Sequence, residues 1–174
     1  MSQSQKSLTS KKKKQYQKCI EIFTDGSYSS NGDKSGYGVH FYNVKINDIS
    51  RPFTHVPLTN QRAELYAIYR GIGTVIKNYS FDELIVYTDS AYGIGCFTKW
   101  LANWKTNNWK TSANKDVKNV DIIKKVDAYL SISKYKDKIK FEHVKAHTTG
   151  TDYKSVGNRQ ADKLATDGAH TKHP

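Results

Sequence analysis

The chain has 174 residues, of which 37% are hydrophobic and 12% aromatic, enough for one folded domain with a core of its own. No apolar run approaches the roughly 18 residues that a membrane span needs, and the N-terminus lacks the apolar stretch of a secretory signal. The formal net charge is +12, and Cys19 and Cys96 stand outside any CxxC pattern, so they read as free thiols of an intracellular protein, in cytoplasm or nucleus.

The positive charge is not spread evenly. Residues 1–18 hold six lysines and no acid, and residues 99–118 hold five lysines and one acid, leaving +2 for the other 136 residues. Clustering of this kind points to a polyanionic partner, with a solubilising surface as the plainer alternative. Residues 1–18 are Ser-, Gln- and Lys-rich and read as a disordered basic tail. Its run Lys11–Lys14 serves equally as a nuclear signal or a nucleic-acid arm. A folded domain over 19–170 is expected, with a basic protrusion at about 99–118 and a disordered C-terminus at 171–174.

From Cys19 the chain reads as a strand, Ile20-Glu21-Ile22-Phe23-Thr24, that ends in Asp25-Gly26-Ser27. Asp-Gly is also common turn chemistry. A polar loop over 29–35 leads to a second strand, 36–42, and a third is expected over 49–56, with Pro52 and Pro57 marking an edge or an end. Thr59 or Asn60 caps a helix whose Leu65, Ile68, Ile72, Val75 and Ile76 share one face. Gly71 and Gly73 in that helix predict close packing against the sheet. The helix ends near Asn78, and a strand over 84–88 ends in Asp89-Ser90, so the unit is a β-helix-β crossover. Residues 90–131 read as interrupted helix, closing on the stripe Val120, Ile123, Val126, Leu130. A fifth strand covers 138–144, and a polar loop from His147 to Lys154 leads into a last helix with Val156, Leu164 and Ala165 inward. The order β-β-β-α-β-α-α-β-α predicts an α/β fold. Its mixed five-stranded sheet has three antiparallel strands followed by parallel ones, and helices flank it.

Asp25 and Asp89 finish their strands, Glu64 lies near the start of the first long helix, and Asp162 lies in the first half of the last. Carboxylates without His or Cys neighbours suit hard, oxygen-preferring cations such as Mg²⁺, and their convergence without a cation is unfavourable. Taken singly, Glu64 and Asp162 fit a helix-dipole role equally well.

The segments Phe23-Thr24-Asp25-Gly26-Ser27, Asn60-Gln61-Arg62-Ala63-Glu64-Leu65, Tyr87-Thr88-Asp89-Ser90 and Asn158-Arg159-Gln160-Ala161-Asp162-Lys163-Leu164-Ala165 resemble the ribonuclease H type 1 family. So do the stretch from Trp104 to Val120, which is similar to the family's basic protrusion, and His143-Val144-Lys145-Ala146-His147, which is similar to its loop histidine. The likeness covers about residues 19–169 in the right order. It implies the ribonuclease H-like fold and hydrolysis of the RNA strand of RNA–DNA hybrids by a monomeric endonuclease using two Mg²⁺ ions, with Mn²⁺ as a substitute. Asp25 would bridge both ions, Glu64 and Asp89 would hold one and Asp162 the other, and His147 would assist proton transfer or product release. Asn31, Asn60 and Gln61 stand where relatives touch the substrate.

Within the protrusion, Trp100, Trp104 and Trp109 interleave with Lys99, Lys105 and Lys110, and Asn103 lies between them. Aromatics and lysines so arranged suit a sugar-phosphate strand, while at least one of the tryptophans is expected in the core. The chain departs from the family pattern at Arg159, where many relatives carry an acid, at Ala91, and in a longer loop between His147 and Asp162. No second hybrid-binding domain is expected, the short basic tail being the one addition to the domain. The rival readings are a catalytically silent nucleic-acid-binding module of the same fold and a related nuclease such as a junction resolvase.

Overall fold

The computed structural model describes residues 12–171. Among them, five strands form one sheet in the order β3-β2-β1-β4-β5: β1 (Gln15–Ser29), β2 (Lys34–Phe41), β3 (Ile49–Pro52), β4 (Tyr79–Thr88) and β5 (Ile139–His143). β1–β2 and β2–β3 are antiparallel, whereas β1–β4 and β4–β5 are parallel. The expected mixed sheet is therefore the observed one. The helices are α1 (Asn60–Asn78), α2 (Ala91–Gly95), α3 (Leu101–Thr106), α4 (Val120–Leu130) and α5 (Tyr153–Ala169), with a π-helical turn, Cys96–Trp100, between α2 and α3. No described helix is long and apolar enough to cross a membrane.

Period-two alternation in β1 separates the two faces of the sheet. Ile20 and Ile22 pack with Ile68, Ile72 and Val75 of α1, and Phe23 packs with Tyr87, Val144 and Ala161 beneath α5. Two glycines set how closely these helices approach. A Cβ on Gly26 would lie 2.3 Å from the Glu64 backbone nitrogen, and one on Gly38 would lie 2.6 Å from the Ala161 carbonyl oxygen. Gly38 is the cross-strand partner of Asp25, so α1 and α5 are seated against the sheet on either side of that residue. Tyr87 and Tyr153 both donate to Glu21 Oε1, at 2.6 and 3.1 Å, which ties the first turn of α5 to β1 and β4. Arg62, 4% exposed, makes two 2.8 Å bonds to the Asp121 carboxylate and so fastens the start of α1 to the start of α4.

Several boundaries differ from expectation. β1 begins at Gln15 rather than Cys19, because β4 begins at Tyr79 and supplies ladder partners down to the Gln15↔Tyr79 pair. Tyr16 adds a 2.8 Å bond to Asp82. Of the tail expected to be disordered, residues 1–11 lie outside the described residues, as do 172–174. β3 stops at Pro52 because its partner β2 has almost run out by then: Pro52 already faces Gly36, and β2 starts at Lys34. Gly71 packs on Ile22 of the sheet as expected, but Gly73 faces Tyr129 of α4 instead. Val156 is 46% exposed, because the buried stripe of α5 runs through Gly157, Asn158, Ala161, Ala165 and Gly168, one residue away. Asp162 is the tenth residue of α5, past its midpoint, which removes the helix-dipole reading for it.

Close approach at Gly38 gives a direct test. Gly38→Ala forces α5 off the sheet and lowers stability by about 1–3 kcal/mol, read as a fall in the urea midpoint. An unchanged midpoint would mean that α5 does not sit where described.

Candidate active site

Each carboxylate reaches the site from a different element. Asp25 does not finish β1 as expected, because pairing with β2 carries the strand on to Ser29; it sits just past the end of the β1–β4 ladder, next to Gly26, whose missing side chain lets the Glu64 backbone come alongside. Glu64 is placed by the start of α1, where Thr59 Oγ1 caps the helix by accepting from the Arg62 amide at 3.1 Å. Asp89 follows β4 directly, and Ser90 Oγ then caps α2 by accepting from the Gly93 amide at 3.0 Å. These three acids offer carboxylate oxygens that all lie within 4.8 Å of one another. Asp162, half-buried on α5, is not one of that group, but it lies near enough for its charge to act on Asp25.

The electrostatics follow from burial. Asp25 is 5% exposed and Glu64 9%. Burial, followed by the charges of Asp89 and Asp162, holds the Asp25 carboxyl well above its ordinary value of 3.8. The Gly26 amide donates to Asp25 Oδ1 at 2.9 Å and opposes that shift only in part. Burial raises Glu64 too, with the charge of Asp89 adding to it, while Asn60 Nδ2, donating at 2.8 Å, pulls the other way. A set of oxygen donors that is short of positive charge is the donor chemistry a hard divalent cation satisfies, so these residues fit a metal.

Asn158 belongs to the site although sequence reasoning did not single it out. It is 3% exposed, its Nδ2 donates to Asp89 Oδ2 at 3.2 Å, and its Oδ1 has no partner. Its spacing was the available signal, since four residues before Asp162 places both on one face of α5.

The remaining candidates are distributed around this centre. Asn60 touches Glu64, and Gln61 beside it is half-buried at the start of α1. Asn31 is exposed in the β1–β2 turn and is not part of the carboxylate group. His147 is exposed on the loop after β5, with a left-handed φ of 53°. That loop starts beside Asp89, because His143 pairs with Thr88 and the Val144 amide donates to the Thr88 carbonyl at 3.0 Å.

In the protrusion, Trp100 is 40% exposed and its ring lies on Gly95, where a Cβ would come within 2.6 Å. Trp104 and Trp109 are half-buried against the core that contains Leu65 and Ile123, so the tryptophan expected in the core only lines its edge. Asn103 and Lys99 are exposed. Lys105 donates to Asp127 at 2.9 Å and to Ser131 at 3.1 Å, and Lys110 pairs with Asp116, so both ammonium groups already have partners within the fold.

Comparison with known proteins agrees with this geometry. Residues 17–170 match the RNase H family model. Among similar proteins, "Ribonuclease H" of Schizosaccharomyces pombe is 40% identical over 85% of this chain and 52% of its own length. "Ribonuclease H" of Pseudoalteromonas atlantica is 35% identical over 89% of this chain and 93% of its own. The solution structure of the PFV RNase H domain superposes with a TM-score of 0.71 at 29% identity, covering 87% of this chain and 94% of that one. The chain spans 50% to 59% of the length of three of the curated relatives it matches.

Carboxylate repulsion sets a pH dependence. Because the folded state holds the Asp25 proton more tightly than the unfolded state, metal-free protein loses stability as pH rises from about 3.8 through the raised folded value. Asp25→Asn removes that loss, so the variant gains about 1 kcal/mol or more over wild type at pH 8 relative to pH 4 in chelator. Urea midpoints of both proteins at the two pH values measure the gain, and parallel pH dependences would contradict the repulsion. The sequence and the geometry of these acids together place the chain in the ribonuclease H family.

Proposed function

We propose that this chain is a metal-dependent endoribonuclease that hydrolyses the RNA strand of RNA–DNA hybrids. The observation that carries the reading is the convergence of Asp25, Glu64 and Asp89, with Asp162 beside them, in a chain of this family. We assign Mg²⁺ as the cofactor, two ions per site with Mn²⁺ as a substitute, which Asp25, Glu64, Asp89 and Asp162 would hold, Asp25 serving both, Glu64 and Asp89 one and Asp162 the other. When bound, the ions supply activation of a water and charge stabilisation at the leaving 3′ oxygen.

The protein's own groups do the rest. Asn60 steadies the Glu64 carboxylate and Asn158 that of Asp89, which fixes the direction of their lone pairs. Gln61 and Asn31 are short polar groups suited to sensing 2′-hydroxyls on one strand. His147, exposed at the rim, moves a proton or helps the product leave. Trp100 offers a flat exposed face to a sugar-phosphate strand, with Asn103 and Lys99 alongside. Lys105 and Lys110 act mainly as braces of the protrusion, Trp104 and Trp109 as its core-facing side. We place the enzyme inside the cell, in cytoplasm or nucleus, as a monomer.

End-labelled RNA–DNA hybrid, double-stranded RNA, single-stranded RNA and duplex DNA, each with and without Mg²⁺, test the assignment. Hybrid alone is cut, and only with the ion; Asp25→Asn reduces cutting to background while the circular dichroism spectrum is unchanged. A variant that cleaves near the wild-type rate would exclude Asp25 as a metal ligand.

The basic N-terminal segment generates a separate expectation. Removing residues 1–14 takes away five lysines and leaves β1 whole. Each phosphate that is no longer neutralised flattens the dependence of log affinity on log salt by roughly 0.7 to 0.9. Hybrid binding weakens at low salt, while the saturated cleavage rate stays the same, because weakening ground and transition states equally leaves kcat unchanged. An unaltered salt slope would rule out nucleic-acid binding by this segment.

A further inference from the structure

The guanidinium of Arg159 has a specific destination. Nη1 donates to the carbonyl oxygens of Thr148 and Gly150, both at 2.8 Å. These two carbonyls lie just beyond His147, in the loop between β5 and α5. The same short stretch is held from its other end. Asp152 caps α5 by accepting from the Ser155 amide at 3.1 Å, and Gly150 is seated so that a Cβ would come within 2.7 Å of Asp152 Oδ1 and 2.8 Å of Ser155 Oγ. His147 itself has a φ of 53°, a left-handed conformation that a non-glycine residue adopts only where its surroundings impose it.

We propose that Arg159 is a positioning residue, which clasps the His147 loop to α5 and sets where the imidazole stands over the carboxylates. The clasp rests on the assignment of His147 above. Asp162 lies on the same helix, three residues on, so the element that delivers an acid to the site also fixes the height of the histidine loop. Two bonds from one charged nitrogen restrain the carbonyls after His147 far better than a neutral donor would. Arg159 is exposed, so water competes for both carbonyls and the clasp can release without unfolding anything else. Lysine cannot reproduce it. Its ammonium keeps the charge, but it rotates freely on a shorter stem, whereas the two N–H bonds of Nη1 are fixed in the guanidinium plane.

The test is a double-mutant cycle read in single-turnover cleavage of hybrid, together with amide exchange of residues 147–151. Arg159→Ala slows cleavage roughly tenfold in the wild-type background, about the size of one charge-assisted hydrogen bond, since water competes for both carbonyls, and has no further effect in His147→Ala. Arg159→Lys recovers only part of the rate. Exchange at 147–151 quickens in Arg159→Ala, while the Mg²⁺ titration midpoint holds, because the guanidinium touches none of the four site carboxylates.

Equal losses in both backgrounds, full recovery by lysine, or a shifted Mg²⁺ midpoint would each overturn the proposal in favour of a charge acting directly on the site. A wild-type rate in Arg159→Ala or in His147→Ala would overturn it as well. Wild-type protein that leaves hybrid uncut would instead refute the proposed function, and the exchange rates would then decide alone whether the clasp exists.

Discussion

Mutual repulsion among buried carboxylates is the constraint around which this molecule is arranged. Asp25 and Glu64 are almost fully buried, Asp89 lies within ligand distance of both, and Asp162 adds its charge from the opposite face. Like charges so placed destabilise the fold unless a cation or a proton intervenes. The rest of the structure has to hold them together regardless. Gly26 admits α1, Gly38 admits α5, and the Glu21–Tyr87–Tyr153 bonds lock the first turn of α5 across the sheet. Rigid elements on three sides allow no relaxation by drifting apart, which is the preorganisation a metal site requires.

Legibility in the sequence followed the range of the interaction. The strand ending in Asp89 could be read because a β-branched run that stops at an acid is a local signal, whereas β1 does not stop at Asp25, since pairing with β2 carries it on to Ser29. The stripe Leu65, Ile68, Ile72, Val75 could be read because helical periodicity is local as well. What could not be read depends on partners brought in from elsewhere. Nothing near Gln15 announces a strand; it becomes one because β4 extends back to Tyr79. Gly73 looks like Gly71 in sequence, but two residues of helix rotate it by about 200° and it meets Tyr129 rather than the sheet.

The protrusion shows the same division. Alternating Trp and Lys at near-helical spacing is visible in the sequence, but their destinations are not. Asn108, Trp109, Asn114 and Asn119 all take left-handed backbone conformations, so helical spacing fails beyond α3. Trp109 turns inward under Lys124, whose ammonium lies 5.1 Å from the ring centroid. Lysines that composition marks as phosphate ligands prove to have carboxylate partners, with Asp127 coming from α4 and Asp116 from the far side of the loop. Of the three tryptophans, only Trp100 keeps a large open face, and the π-helical turn at Cys96–Trp100 is what rotates it onto Gly95.

Arg62 stands two residues before Glu64 and grips Asp121 at the root of α4, the helix against which the protrusion folds back. The bidentate bond makes the carboxylate centre and the aromatic arm parts of one stiff body rather than two units joined by a hinge. Such a body behaves as a caliper. If Trp100 grips a duplex as proposed, that duplex is presented to Asp25 and Glu64 at a separation set by the protein, so the number of nucleotides between grip and reacting phosphate would be a constant of the fold and not of the base sequence.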